Sequence, residues 1–118
     1  MQNSKEDLID FNIVQSLKEL GGDDGDDFFK EIIDLYKEQY PVLLKQIKDY
    51  LLNKDYINLS KSAHALKGAS LNIGAKEIAS ICKTIESNAK SDILEGYDEL
   101  VGNLEAIHTL TFVEIDKL

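Results

Sequence analysis

One histidine in this chain has neighbours that give it chemistry. His64 stands in the string Ala63-His64-Ala65-Leu66-Lys67-Gly68-Ala69-Ser70, followed by Ile73-Gly74-Ala75 and Ile81-Cys82-Lys83-Thr84-Ile85-Glu86. On a helix, positions 60, 64, 67, 68 and 71 share one face. An imidazole placed there can attack a phosphoryl group through a neutral ring nitrogen. Lys67, one turn further on, can offset the charge of that group. Gly68 leaves the space beside the ring open to an incoming partner. A glycine inside a helix costs about 1 kcal/mol relative to alanine, so its presence asks for a reason, and clearance supplies one.

Only one imidazole nitrogen can be the nucleophile, and the other needs an acceptor that fixes tautomer and ring angle. Glu86 is the candidate. The spacing predicts a helix that returns antiparallel after Ile73-Gly74, which brings its carboxylate to the Nδ1 side and leaves Nε2 free. Lys83 and Lys90 lie three and four residues from Glu86 and share its face, so they extend the positive surround. Leu71, on the His64 face, belongs to the surface a partner would meet.

The other reactive residues lack such context. His108 falls beside the Leu104/Ile107 stripe and reads as an ordinary residue. Cys82 lies on an apolar stripe and reads as a small core hydrophobe. The run Asp23-Asp24-Gly25-Asp26-Asp27 lacks the spacing of a calcium loop, with Gly25 where a ligand would stand. Neither histidine has a zinc-like ligand set around it. No phosphate-cradling glycine motif is present, so ATP-dependent self-phosphorylation has no support in the sequence.

These residues need helices to position them, and the apolar spacing of three and four, with one proline and no tryptophan, supplies them. A first helix is expected near Asp10 to Leu20, with Phe11, Val14, Leu17 and Leu20 as its stripe, ended by Gly21-Gly22. The acidic run that follows is expected as a loop, with its charges at the next N-terminus. A second helix runs from Phe28 to Leu51, with a kink or break at Pro41. The third spans about Asp55 to Asn72 and buries Leu59, Ala63, Leu66 and Ile73. The fourth spans about Ala75 to Lys90. Ser91-Asp92 is expected to cap a last helix carrying Leu94, Tyr97, Leu100, Leu104, Ile107 and Thr111, weakened by Gly96 and Gly102. Short connections then give an all-α, antiparallel up-down-up-down four-helix bundle with an additional short N-terminal helix packed across one end.

With 118 residues, one domain is expected. The longest aliphatic run is Val42-Leu43-Leu44, so no membrane insertion is expected, and Met1 to Asp7 hold no apolar signal core. A single cysteine suits the reducing cytoplasm. The net charge of −9 argues against nucleic acid as a partner. It also makes any local cluster of lysines informative.

The segment around His64 resembles the histidine phosphotransfer (HPt) domain of multistep two-component phosphorelays. That family's pattern is His-x-Leu-Lys-Gly, then Gly-Ala ten residues after the histidine, then Cys-basic-x-apolar-Glu ending twenty-two after it, and this sequence fits each offset. The likeness is densest over residues 60 to 90. The resemblance implies that His64 is the phosphoacceptor, Lys67 the phosphate-stabilising lysine, Gly68 the clearance residue and Glu86 the imidazole partner. Ala69-Ser70 departs from it, since Ser-Ala or Ser-Ser is commoner there. The resemblance also implies partners: response-regulator receiver domains or a hybrid sensor kinase. The receiver would supply magnesium, and this chain, a monomer, would hold no cofactor or metal of its own. Two other readings are a non-transferring helical-bundle interaction module and the phosphoacceptor domain of a chemotaxis-type kinase. The latter needs further domains that this length cannot hold.

Overall fold

The structure is a computed structural model, which describes residues 4–118. It is all-helical, with no strand among the described residues. The helices are α1 (Lys5–Leu8), α2 (Phe11–Leu20), α3 (Gly25–Leu52), α4 (Tyr56–Asn72), α5 (Lys76–Lys90) and α6 (Tyr97–Ile115), with a 3-10 turn at Gly22–Asp24 before α3. None is long and apolar enough to cross a membrane.

Helices α3 to α6 form the antiparallel bundle, and the register is legible in pairs. Tyr36 and Gln46 on α3 bond Ser70 and Ser62 on α4, through Oη···Oγ at 2.8 Å and Oε1···Oγ at 3.1 Å. Lys37 and Lys48 on α3 pair with Asp116 and Glu105, which puts α6 antiparallel to the same helix. The core between them holds Tyr36, Ile47, Leu59, Leu66, Ile78, Ile85 and Leu104, each fully or almost fully buried. Burying a side chain of that size contributes about 1.5–3 kcal/mol.

Local chemistry sets the boundaries. Asp55 caps α4 by accepting from the Asn58 amide at 3.2 Å. Gly74 ends that helix with φ +80°, a conformation that disfavours any side chain. A Cβ there would stand 2.8 Å from the Asp10 carbonyl oxygen. The Asp10 amide in turn donates to the Gly74 carbonyl at 2.7 Å, so the α4–α5 turn also anchors the start of α2.

Four expectations need correction. First, α3 starts at Gly25, not Phe28, so half of the acidic run is helix rather than loop. Gly25 is buried against α2, where a Cβ would come within 2.2 Å of the Lys18 carbonyl oxygen, and this contact fixes the start of the helix. Second, α3 is not broken into two helices at Pro41 but runs through it for 28 residues. Pro41 is on the exposed side, where the Lys37 carbonyl it deprives of a partner can turn to water. Third, Ser91 closes α5 rather than capping α6. The last helix starts at Tyr97 after Gly96, which has φ +88°, and Leu94 is exposed in the intervening loop. Fourth, Leu20 does not join the buried stripe of α2 and is 75% exposed.

Helix α1 was not expected at all. Ser4 and Asp7 form a reciprocal capping box, and Leu8 and Ile9 are buried at 2% and 1% exposure. Ser-x-x-Asp before two aliphatic residues was the available signal.

Two glycines should answer substitution in opposite directions. Gly25→Ala forces a backbone contact apart and should cost about 1–3 kcal/mol. Gly102 lies inside α6, with nothing within 4 Å of an added Cβ, so Gly102→Ala should stabilise by about 1 kcal/mol. Urea unfolding of both variants beside the parent checks the pair.

Candidate functional site

His64 lies midway along α4, with its side chain 65% exposed. Its helix is held from below by Leu59, Ala63 and Leu66, all at 0% exposure. The ring therefore projects from a rigid support toward solvent. Beneath it, Glu86 on α5 is 5% exposed. Its Oε2 is 2.8 Å from His64 Nδ1, its Oε1 accepts from Lys67 Nζ at 2.8 Å, and Oε2 also accepts from Lys90 Nζ at 3.0 Å.

One buried carboxylate thus receives three side-chain donors. Burial alone would raise its pKa. The hydrogen bonds from Lys67, Lys90 and His64 outweigh that and bring it down to about 2. Glu86 is therefore ionised at neutral pH and can only accept. The His64 contact consequently requires a proton on Nδ1, and in the neutral ring the lone pair falls to Nε2. The tautomer follows from the neighbour's charge state.

A shallow hollow of about 280 Å³ surrounds the ring, lined by Ser60, Lys61, His64, Glu86 and Lys90. Lys61 joins the set without having been expected, although its i−3 spacing from His64 was the available signal. Lys83, expected beside Glu86, makes no ion pair with it. It lines a neighbouring hollow with Lys67, Leu71, Lys76, Ala79 and Ser80. Leu71 is half-exposed there.

Gly68 has nothing within 4 Å of an added Cβ. No packing within the described chain requires glycine at that position, in contrast to Gly25 and Gly74. Ser70 is fully buried and shares a hydrogen with the Tyr36 hydroxyl, so the hydroxyl two residues past Gly68 serves the α3–α4 contact rather than the site. Cys82 is fully buried, and burial followed by the nearby Glu86 charge pushes its thiol up to about 12. Among the described residues no group of three or more candidate ligands could hold a metal ion.

His108 belongs to a different environment. Its ring stacks on Tyr40 at 3.5 Å between centroids and lies near Tyr36 and Phe112. Burial and the Lys37 charge lower its pKa from 6.5 to about 4.

The two shifts predict two acid limbs. Glu86 has its folded pKa below the ordinary 4.5, so its contribution to stability is full above 4.5 and is lost as pH falls through about 2. His108 takes up a proton in the unfolded chain below 6.5 but resists it in the fold until about 4, so stability is lost across that window. Glu86→Gln should be destabilised at pH 7, with its deficit shrinking between pH 4.5 and 2. His108→Gln should lack the limb between 6.5 and 4. Urea midpoints across pH 2 to 8 check both.

Comparison with known proteins agrees with this geometry. The sequence profile described as the Hpt domain matches residues 31–110. Multistep phosphorelay regulator 1 of Schizosaccharomyces pombe is 32% identical over 80 residues, which cover 68% of this chain and 27% of that protein. Histidine-containing phosphotransfer protein 2 of Arabidopsis thaliana is 29% identical over 83 residues, or 68% of this chain and 53% of its own length. The chain thus spans from about a quarter to about half of these curated relatives. Among solved structures, a histidine-containing phosphotransfer protein of Medicago truncatula superposes with a TM-score of 0.84 at 21% identity, covering 96% of this chain and 78% of its own. Histidine-containing phosphotransfer protein B of Pseudomonas aeruginosa gives 0.77 at 24%, covering 92% and 91%. At such identities the superpositions speak for the fold, and the profile match over most of the sequence speaks for descent: the chain belongs to the Hpt domain family.

Proposed function

We propose that this chain is a phosphorelay carrier, in which His64 takes a phosphoryl group from a receiver-domain aspartate and passes it to an aspartate on another receiver. The observation that carries this reading is an exposed imidazole whose Nδ1 is bonded to an ionised, buried Glu86. In the uptake step the Nε2 lone pair forms the N–P bond as the P–O bond to the donor aspartate breaks. The ring then carries Nδ1–H and phosphorylated Nε2 and is cationic, and the Glu86 carboxylate stabilises it. Lys67 and Lys90, already gathered at that carboxylate, offset the charge on the phosphoryl oxygens. Every step is reversible, which a carrier requires.

Magnesium and the acidic pocket belong to the receiver on this reading, and the chain itself contributes the imidazole and its positive surround. It supplies no ATP-binding motif and so relays phosphoryl groups instead of generating them. A cytoplasmic setting, where receivers work and Cys82 stays reduced, fits.

Incubation with a phosphorylated receiver should yield acid-labile, alkali-stable phosphate on the chain. His64→Gln should abolish it with the melting transition intact, and His108→Gln should leave labelling unchanged. Equal labelling of the His64→Gln variant would place the acceptor elsewhere. A chain that binds the receiver yet never takes label would instead be a non-transferring interaction module.

Gly68 provides a second test. Gly68→Gln should slow transfer while holding or raising stability, because a glycine is removed from a helix interior that has room for a side chain. Transfer at the parental rate would mean that the docking face does not need the clearance.

A further inference from the structure

Charge is distributed unevenly along this chain. Residues 56–90, the α4–α5 hairpin, carry five lysines against two glutamates, a net +3, while the remainder carries eight lysines against twenty acids, a net −12. One of the two glutamates, Glu86, is buried beneath His64. The α4–α5 hairpin is thus basic in a chain that is otherwise strongly acidic.

That surface extends well past the histidine. Beside the His64 hollow lies a second, of about 430 Å³, with Lys67, Lys76, Lys83 and Ser80 around Leu71 and Ala79. Lys76 and Lys83 are exposed and form no ion pair among the described residues. Leu71, 51% exposed, offers an apolar surface between them. Lys76 is ten residues from Glu86, about 15 Å along α5. Its ammonium is out of reach of a phosphoryl group on His64. An unpaired cation at that distance cannot serve the transfer chemistry, but it can serve a partner that covers the hairpin.

We propose that the hollow bounded by Lys67, Lys76 and Lys83 is a docking surface that selects among receiver domains by taking an acidic segment with an apolar side chain at its centre. The apolar group covers the exposed Leu71, and flanking carboxylates meet Lys76 and Lys83. The net −12 of the other faces repels the same partner, so attraction at the hairpin and repulsion elsewhere turn an acidic receiver toward His64 before contact. Lys67 lines this hollow and also donates to Glu86, so it joins docking to the reacting site. The proposal rests on the carrier reading above and adds which partners are accepted.

The test separates docking from chemistry. Transfer from a phosphorylated receiver is followed against receiver concentration for the parent, Lys76→Glu, and Lys76→Glu with Lys83→Glu, at low and high salt. Phosphoramidate, a small donor that needs no docking, labels His64 directly in parallel and releases ammonia. At low salt the double variant should raise KM about tenfold with kcat unchanged. The single variant should fall between it and the parent. The parent should lose this advantage as salt is added, because exposed charges are screened beyond about 8–10 Å, whereas the double variant should lose little. Labelling by phosphoramidate should be equal in all three. Equal KM and equal salt dependence across the three chains would overturn the docking surface and leave the carrier reading standing. Labelling by phosphoramidate but by no receiver would overturn the receiver as partner, and the docking surface with it. No labelling of His64 by either donor would overturn the carrier reading itself.

Discussion

A carboxylate buried among three donors governs this site. Glu86 is removed from water by the α4–α5 contact, and an isolated charge could not remain there. Lys67, Lys90 and His64 make it tolerable, and each is thereby held in place. The ion pairs are not chiefly a stability device, since burial of such groups consumes much of what their attraction returns. Their effect is geometric. The ring angle, the tautomer and the positions of two ammonium groups all follow from one acid being ionised in one place.

Other parts of the fold serve that placement. Glu86 meets His64 only if α4 and α5 are antiparallel in one register, and the Gly74 turn sets it. The same turn is anchored to Asp10, so α2 braces the hairpin that carries His64 and Glu86. On the far side of α4, Ser62 and Ser70 bond to α3 and prevent the helix from rolling about its axis. A rotation of one residue's worth, about 100°, would carry His64 away from the carboxylate. The bundle therefore works as a clamp on one torsional degree of freedom.

Much of this was legible in the residues. The spacing of His64, Lys67, Gly68 and Glu86 gave the face, and Gly74 gave the return that brings the helices together. Periodicity located α4 and α5 almost to the residue, because both have sharp boundaries: an Asp cap, a left-handed glycine and a basic last turn. The misreadings share a cause. At Gly25 and Pro41 the local signal was correct in kind, a breaker residue, but tertiary contacts decided its effect. Gly25 is a close-packing position against Lys18, and Pro41 lies where a lost hydrogen bond costs little. At Ser91 a good capping residue was present, yet the chain enters α6 only at Gly96, whose left-handed backbone directly precedes Tyr97. Helix α1 was missed because four residues give no period to detect. Lys83 illustrates the last limit: a face can be inferred from spacing, but which ammonium reaches a buried acid depends on side-chain paths.

The combination of a rigid base and an open top also explains why the site is shallow. An enzyme that completes its own reaction gains from a cavity that excludes water around substrate. A carrier must present one nitrogen to two different partners in turn, and any wall built for the first would obstruct the second. Here the preorganised part lies below the ring, in Glu86 and its lysines, while no described residue comes within 4 Å of a Cβ added at Gly68. The lysines are engaged with Glu86 but not exhausted by it: two ammonium groups face one carboxylate, so the local balance is already positive before a phosphoryl group arrives. On the carrier reading, phosphorylation adds a dianionic phosphoryl group and leaves the ring cationic, a net change of about −1 that brings this surround close to neutrality. On the carrier reading, neither the loaded nor the empty state then needs a large rearrangement, because the two differ little in electrostatic cost.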